Sequence, residues 1–237
     1  MQCVILAGGL GTRMREVAGD RPKALLSVSG RPFVDHQLEL LAAGGIEDVV
    51  FCIGYGGSAL QAHVGDGAAF GLDVRYVDEG DNLRGTAGAL RLALDQGVLE
   101  EAFGVLYGDS YLPIELRPVW DAFQASGQQA LMTVYRNDDR WDASNAVFAA
   151  GRVVLYDKHG ADPSTAQRHW IDYGLSVIGA KVIAERVPSG EVADLAEIYH
   201  ELSVEGQLAG LEVAERFYEV GSPEGLAELE GYIASSR

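Results

Sequence analysis

Apolar and polar positions alternate in two rhythms through the first half of the chain. Residues 2–7 (QCVILA) form an apolar run with no helical period, which predicts a buried strand. Pro32 can open a helix that runs to Gly44, with Phe33, Leu38, Leu40 and Leu41 on or near one face and Gly44-Gly45 as its stop. The pattern then predicts a strand at 48–53, a short helix at 58–64, a strand at 72–77 and a helix at 86–96. A strand at 102–107 ends on Gly108-Asp109, and a helix follows at 116–126. Strands and helices that alternate through short connections predict a parallel sheet covered on both faces.

Beyond residue 127 the rhythm changes. Residues 130–135, 146–149, 153–156 and 171–178 read as strands with few helices between them, and Gly151-Arg152 reads as a hairpin turn. Residues 194–208 predict a helix, 212–220 a strand and 223–233 a closing helix. No repeat, low-complexity linker or composition break divides the chain. The expectation is one α/β domain: a nucleotide-binding part over about 1–127, an acceptor-binding part over about 128–220 and the closing helix at 221–237. Its second half is expected to add antiparallel strands and a lid over the first.

Composition narrows the function. Among 237 residues, 18 Lys and Arg face 35 Asp and Glu, a net charge of −17. That balance argues against a nucleic-acid or anionic-membrane binder, each of which needs a basic face. A small anionic substrate held by a local basic cluster remains compatible with it. The sequence holds no apolar stretch long enough to span a membrane. The start, Met1-Gln2-Cys3-Val4, lacks the basic flank of a signal peptide, so a cytoplasmic location is expected. Cys3 and Cys52 lie in apolar runs and read as core. The five histidines (36, 63, 159, 169 and 200) show no metal-ligand spacing, and His36 reads as structural.

The chemistry begins after the first predicted strand. Leu6-Ala7-Gly8-Gly9-Leu10-Gly11-Thr12-Arg13 combines three glycines, which let backbone N–H groups approach a phosphate chain, with an arginine whose planar fork suits phosphate oxygens. It is neither a P-loop nor the dinucleotide fingerprint, because the required Gly-Lys and third glycine are missing. Further on, Arg21-Pro22-Lys23 sets a point charge ahead of the apolar Ala24-Leu25-Leu26. No Gly-x-Ser-x-Gly nucleophile elbow occurs.

The two segments LAGGLGTRM and RPKALLSVSGRPFVDHQLELL together resemble the signature of the sugar-1-phosphate nucleotidylyltransferases, among which short chains of this kind are similar to the mannose- and heptose-1-phosphate guanylyltransferases. The resemblance implies a Rossmann-like, mostly parallel sheet flanked by helices with an added antiparallel sugar-binding subregion, the nucleotide-diphospho-sugar transferase fold. It also implies that the chain, which ends at Arg237 after the closing helix, lacks the C-terminal repeat domain of some relatives.

The same resemblance assigns residues. Leu6, Ala7, Gly8, Gly9, Gly11 and Thr12 would bind the nucleotide, together with Gly85, Thr86 and Ala87 in a segment that looks like the one lying against base and ribose. Read from its residues alone, that segment is a helix start that Thr86 can cap. Arg13, Lys23 and Asp109 would be catalytic. Asp109 resembles the family's metal-binding aspartate, and a carboxylate just past a buried strand lies at the crevice of a parallel sheet. Gly108, Lys158, Asp172, Tyr173 and Gly174 would contact the acceptor. Asp172 stands where many relatives have an asparagine, a departure that leaves room for an alternative, cationic acceptor on which Tyr173 could stack. Glu219 occupies the place of a second metal-binding aspartate, one methylene longer.

The implied reaction is a single in-line attack by a sugar 1-phosphate on the α-phosphorus of a nucleoside triphosphate. Mg²⁺ would sit on Asp109, and pyrophosphate would leave. Guanylyl transfer to a mannose- or heptose-type 1-phosphate is the first expectation. Uridylyl, thymidylyl or cytidylyl transfer, including transfer to phosphocholine, and a non-catalytic nucleotide-sugar sensor are the alternatives. The sequence leaves the oligomeric state open.

Overall fold

The computed structural model describes residues 1–9, 22–158 and 168–235. Its main sheet is a single nine-stranded layer built from β1 (Gln2–Ala7), β4 (Asp48–Ile53), β5 (Asp73–Asp78), β6 (Ala102–Tyr107), β8 (Ala130–Arg136), β9 (Ala146–Ala149), β10 (Arg152–Tyr156), β11 (Trp170–Gly179) and β12 (Leu208–Val213). The strands lie in the order β5-β4-β1-β6-β11-β8-β12-β10-β9. β5, β4, β1 and β6 are mutually parallel, and β11 runs antiparallel to both β6 and β8. Two small antiparallel pairs complete the described strands: the hairpin of β2 (Ser27–Val28) with β3 (Arg31–Pro32), and the long-range pair of β7 (Ser110–Tyr111) with β13 (Tyr218–Glu219).

The period of two in β1 explains why its residues are apolar without interruption. Val4 points to one face, into a core shared with α3 (Gly85–Asp95), α5 (Ala180–Arg186) and α6 (Leu195–Val204). Cys3 and Ile5 point to the other, where α1 (Phe33–Ala43), α2 (Gly57–Val64) and α4 (Leu116–Ser126) pack. The closing helix α7 (Pro223–Ser235) seals a third, smaller core, with Leu229 and Ile233 against Val28, Phe33 and Val220. His36 is structural here, its Nε2 3.0 Å from the Val28 carbonyl. Among the described residues, no helix is long and apolar enough to cross a membrane.

Several sequence expectations need correction. The second half extends the same sheet sideways, because β11 joins β6 directly. The helix predicted at 194–208 ends at Val204, and β12 starts at Leu208. Gly206, at φ +71°, breaks the helix between them. The strand predicted at 212–220 is split into the end of β12 and the short β13. The β9–β10 hairpin turns on Ala150 and Gly151, both left-handed, and Arg152 already belongs to β10.

The register positions the chemistry. Leu6 of β1 is opposite Tyr107 of β6, and Gly108 N–H donates to the Leu6 carbonyl at 3.0 Å. The chain segments that leave β1 and β6 therefore emerge side by side at the carboxyl end of the parallel strands.

Candidate active site

A cavity of about 270 Å³ opens at that end. Leu6, Ala7, Gly8, Gly9, Lys23, Gly85, Thr86, Gly108 and Asp109 are among the residues that line it. Gly8 lies close to Glu79: a Cβ there would be 2.5 Å from Glu79 Oε1, and the glutamate side chain would have to move aside. Leu10, Gly11, Thr12 and Arg13 lie outside the described residues.

Two charged side chains meet in the cavity, and a third lies beside them. Lys23 occupies a single helical turn after Pro22, and its Nζ lies 3.1 Å from Asp109 Oδ2. Asp109 joins β6 to β7, and β7 pairs with β13 so that Glu219 is opposite Ser110. Val220 N–H donates to the Asp109 carbonyl at 2.9 Å, which clamps the two acidic segments together. The carboxylates point to the same place. The position a Cβ on Gly221 would take is 2.6 Å from Glu219 Oε2 and 3.4 Å from Asp109 Oδ2. Ser222 Oγ donates to Glu219 Oε1 at 3.1 Å and holds that side chain.

The donor set suits Mg²⁺. This ion takes one or two protein carboxylates and fills its other positions with water and substrate phosphates. Among the described residues, no group of three or more His, Cys, Asp or Glu side chains could hold a metal by itself. The Asp109–Glu219 pair fits the arrangement in which phosphates complete the shell.

The helix predicted near Thr86 begins at Gly85, whose φ of +72° suits glycine. A Cβ on Gly85 would lie 2.5 Å from the Ala193 carbonyl. Thr86 does not cap its own helix. Its hydroxyl accepts from Leu195 N–H at 2.7 Å and donates to Asp194 Oδ1 at 2.9 Å, so it caps α6 instead. Ala87 is fully buried in the core and its N–H donates to the Ala193 carbonyl, so of the predicted trio only Gly85 and Thr86 face the cavity.

The structure adds Glu79, which the sequence reading passed over. It follows β5, is 9% exposed and lines the cavity. Its Oε2 accepts from Arg84 N–H at 2.7 Å. Burial raises its carboxyl above the ordinary value, with the Arg84 N–H and charge pulling the other way.

Of the residues expected to contact the acceptor, Lys158 and Asp172 are not among those lining the cavity; Lys158 Nζ is 3.4 Å from Asp194 Oδ2, while its neighbour Asp157 accepts from Arg168 at 3.2 Å. Asp172 N–H donates to Asn145 Oδ1 at 2.8 Å, and Asp172 Oδ1 accepts from Gly174 N–H at 3.0 Å. Burial pushes the Asp172 carboxyl up to about 6 against the Gly174 N–H, the Lys158 charge and the Tyr107 and Tyr156 hydroxyls. The β11 register shifts between Asp172 and Ser176, and Gly174 at φ +102° accommodates the irregularity.

Tyr173 is not where the sequence reading put it. It is 1% exposed and packs against Tyr135 and Phe217, with ring centroids 6.5 and 6.0 Å away. Strand alternation turns it to the face opposite Asp172, so it cannot stack on an acceptor that Asp172 holds.

Comparison with known proteins places the sequence and the fold. A sequence model of the MobA-like NTP transferase domain matches residues 3–214. The mannose-1-phosphate guanylyltransferase of Mycobacterium tuberculosis is 32% identical over the whole of this chain, which spans 66% of that protein's length. The glucose-1-phosphate thymidylyltransferase of Streptomyces antibioticus is 36% identical over 83% of this chain and 47% of its own. The crystal structure of HddC from Yersinia pseudotuberculosis complexed with GMP-PN shares the fold, with a TM-score of 0.79 at 21% identity over 98% of this chain and 99% of that one.

Proposed function

The chain belongs to the family of MobA-like NTP transferase domains, and on that premise we propose that it transfers a nucleotidyl group from a nucleoside triphosphate to a sugar 1-phosphate. The observation that carries the reading is the meeting of Lys23 and Asp109 in the cavity reached by the Gly8-Gly9 segment, with the Glu219 carboxylate beside Asp109. A non-catalytic sensor has no use for a carboxylate pair placed beside a phosphate-binding lysine.

The acceptor phosphate is already an anion, so the site needs no general base. One of its oxygens bonds to the α-phosphorus as the bond from that phosphorus to the bridging oxygen breaks, and the electron pair leaves with pyrophosphate. The protein's work is alignment and charge neutralisation. The glycine segment brings backbone close to the phosphates, Lys23 offsets charge at the reacting phosphate, and Lys158 holds the acceptor phosphate. Asp109 and Glu219 are the residues that would hold Mg²⁺, which when bound would supply charge neutralisation. Arg13 belongs to the same proposal as a ligand of the leaving pyrophosphate. The reaction draws on a cytoplasmic pool of nucleoside triphosphate, and the proposal places the protein there.

Glu79 favours guanine as the base. An ionised carboxylate only accepts hydrogen bonds. Guanine presents adjacent N1–H and N2–H₂ donors, whereas uracil and thymine present one donor between two carbonyl acceptors that a carboxylate would repel. With the similarity to a mannose-1-phosphate guanylyltransferase, this supports guanylyl transfer to a mannose- or heptose-type acceptor. Uridylyl, thymidylyl and cytidylyl transfer rank below it. Asp172 alone supports a cationic acceptor such as phosphocholine, because Tyr173 faces away.

Pyrophosphate release with Mg²⁺ across the common nucleoside triphosphates, a panel of sugar 1-phosphates and phosphocholine tests the reading. Release with GTP and mannose 1-phosphate or a heptose 1-phosphate is expected. No release with any pair would overturn it.

A further inference from the structure

Lys158 and the nucleotide-side helix α3 (Gly85–Asp95) are far apart in sequence, yet one carboxylate touches both. Asp194 Oδ1 accepts from Thr86 Oγ at 2.9 Å and from Ala196 N–H at 3.0 Å. Asp194 Oδ2 is 3.4 Å from Lys158 Nζ. The segment bearing Asp194 is itself fixed to the start of α3. Ala193 N–H donates to the Arg84 carbonyl at 2.9 Å, Ala87 N–H donates to the Ala193 carbonyl at 3.0 Å, and Leu195 N–H donates to Thr86 Oγ at 2.7 Å.

We propose that Asp194 is a positioning residue that sets the Lys158 ammonium for the acceptor phosphate from a frame built on the nucleotide-side helix. The inference rests on the reading of Lys158 as the acceptor-phosphate ligand. A lysine side chain has four rotatable bonds, and holding its head in one place costs rotamer entropy. Asp194 bears part of that cost before the acceptor arrives. Its own carboxylate is fixed through Oδ1, so Oδ2 is presented to Lys158 from a rigid support. Burial opposes ionisation of Asp194, yet the Ala196 N–H, Thr86 hydroxyl and Lys158 hold its carboxyl below the ordinary value, which keeps the charge on it. As a means of stabilising the fold, a partly exposed ion pair of this kind is weak. Its value lies in where it leaves the ammonium.

The test is a double-mutant cycle on the full chain, assayed with GTP and mannose 1-phosphate or with the pair selected by the pyrophosphate panel. Asp194→Asn keeps an oxygen for the Ala196 N–H and the Thr86 hydroxyl while removing the charge facing Lys158. It should raise the acceptor KM roughly five- to tenfold and leave the nucleoside triphosphate KM within about twofold. Asp194→Ser retains the helix cap without the charge and should behave alike. In a Lys158→Ala background, Asp194→Asn should change the acceptor KM by less than about twofold, since it acts through the missing lysine. Equal rises in both KM values, or effects that multiply in the double variant, overturn the proposal. If Lys158→Ala raises the acceptor KM but Asp194→Asn does not, the proposal fails while the reading of Lys158 stands. If Lys158→Ala leaves the acceptor KM unchanged, both fall.

Discussion

Lys23 Nζ stands 3.1 Å from Asp109 Oδ2, and the two residues are 86 positions apart. The contact joins the turn after Pro22 to the end of β6, and Glu219 comes in beside it from β13. A site that must gather several anionic groups is thus already charge-paired: the lysine neutralises one carboxylate until phosphates arrive. With side chains 19% and 32% exposed, the pair contributes little to folding. Lys23→Ala is therefore expected to leave the melting temperature within a few degrees and to lower kcat by about 10²–10³-fold. Asp109→Asn should abolish turnover while the fold survives. Near-normal pyrophosphate release from either purified variant would contradict the assignments.

Glu79→Gln tests the base reading. The amide replaces one acceptor with a donor that faces the guanine donors, so kcat/KM for GTP should fall about 10–100-fold relative to UTP. Parallel progress curves with the two nucleotides measure the ratio. An unchanged ratio removes Glu79 from base selection.

Asp172 gives the fold a pH signature. Its carboxyl titrates at about 6, against an ordinary value of 3.8. Between those values the folded chain holds a proton that the unfolded chain has released. Stability contributed by this group therefore falls as pH rises through that window, and is flat above it. Asp172→Asn removes the loss, so the melting temperature of the variant minus that of the parent should grow from pH 4.5 to pH 7. A constant difference across that range would show that Asp172 ionises normally.

Thr86→Val removes the hydroxyl that caps α6 and meets Asp194. The expected destabilisation is about 1–2 kcal/mol, read as a lower urea midpoint with an unchanged slope. A variant as stable as the parent would mean that the cap is dispensable.

The parallel half of the fold was legible because each of its elements carries a long, unambiguous period. The failures have local causes. α5 (Ala180–Arg186) is too short to display a helical period, and it directly follows the long apolar run of β11. Residues 205–213 carry apolar positions compatible with either element, and only Gly206 marks the change. At the site, Lys23 and Asp109 were readable because their neighbours form a recognisable pattern. Glu79 was not, since it follows a strand in the polar stretch Asp78-Glu79-Gly80-Asp81 and its burial comes from tertiary packing around the cavity. The misplacement of Tyr173 was avoidable: adjacent residues in one strand face opposite sides of the sheet, and Asp172 and Tyr173 cannot share a pocket. Thr86 was identified as a cap from its type, but which helix it caps depends on a contact 109 positions away.

In the proposed reaction the new bond forms at the α-phosphorus of the nucleotide. GTP labelled at the α-phosphate, incubated with mannose 1-phosphate or a heptose 1-phosphate, Mg²⁺ and the protein, tests it most directly. The label is expected in a nucleotide-sugar, with pyrophosphate released in equal amount. Label recovered as GDP or GMP, with no nucleotide-sugar formed, would contradict it.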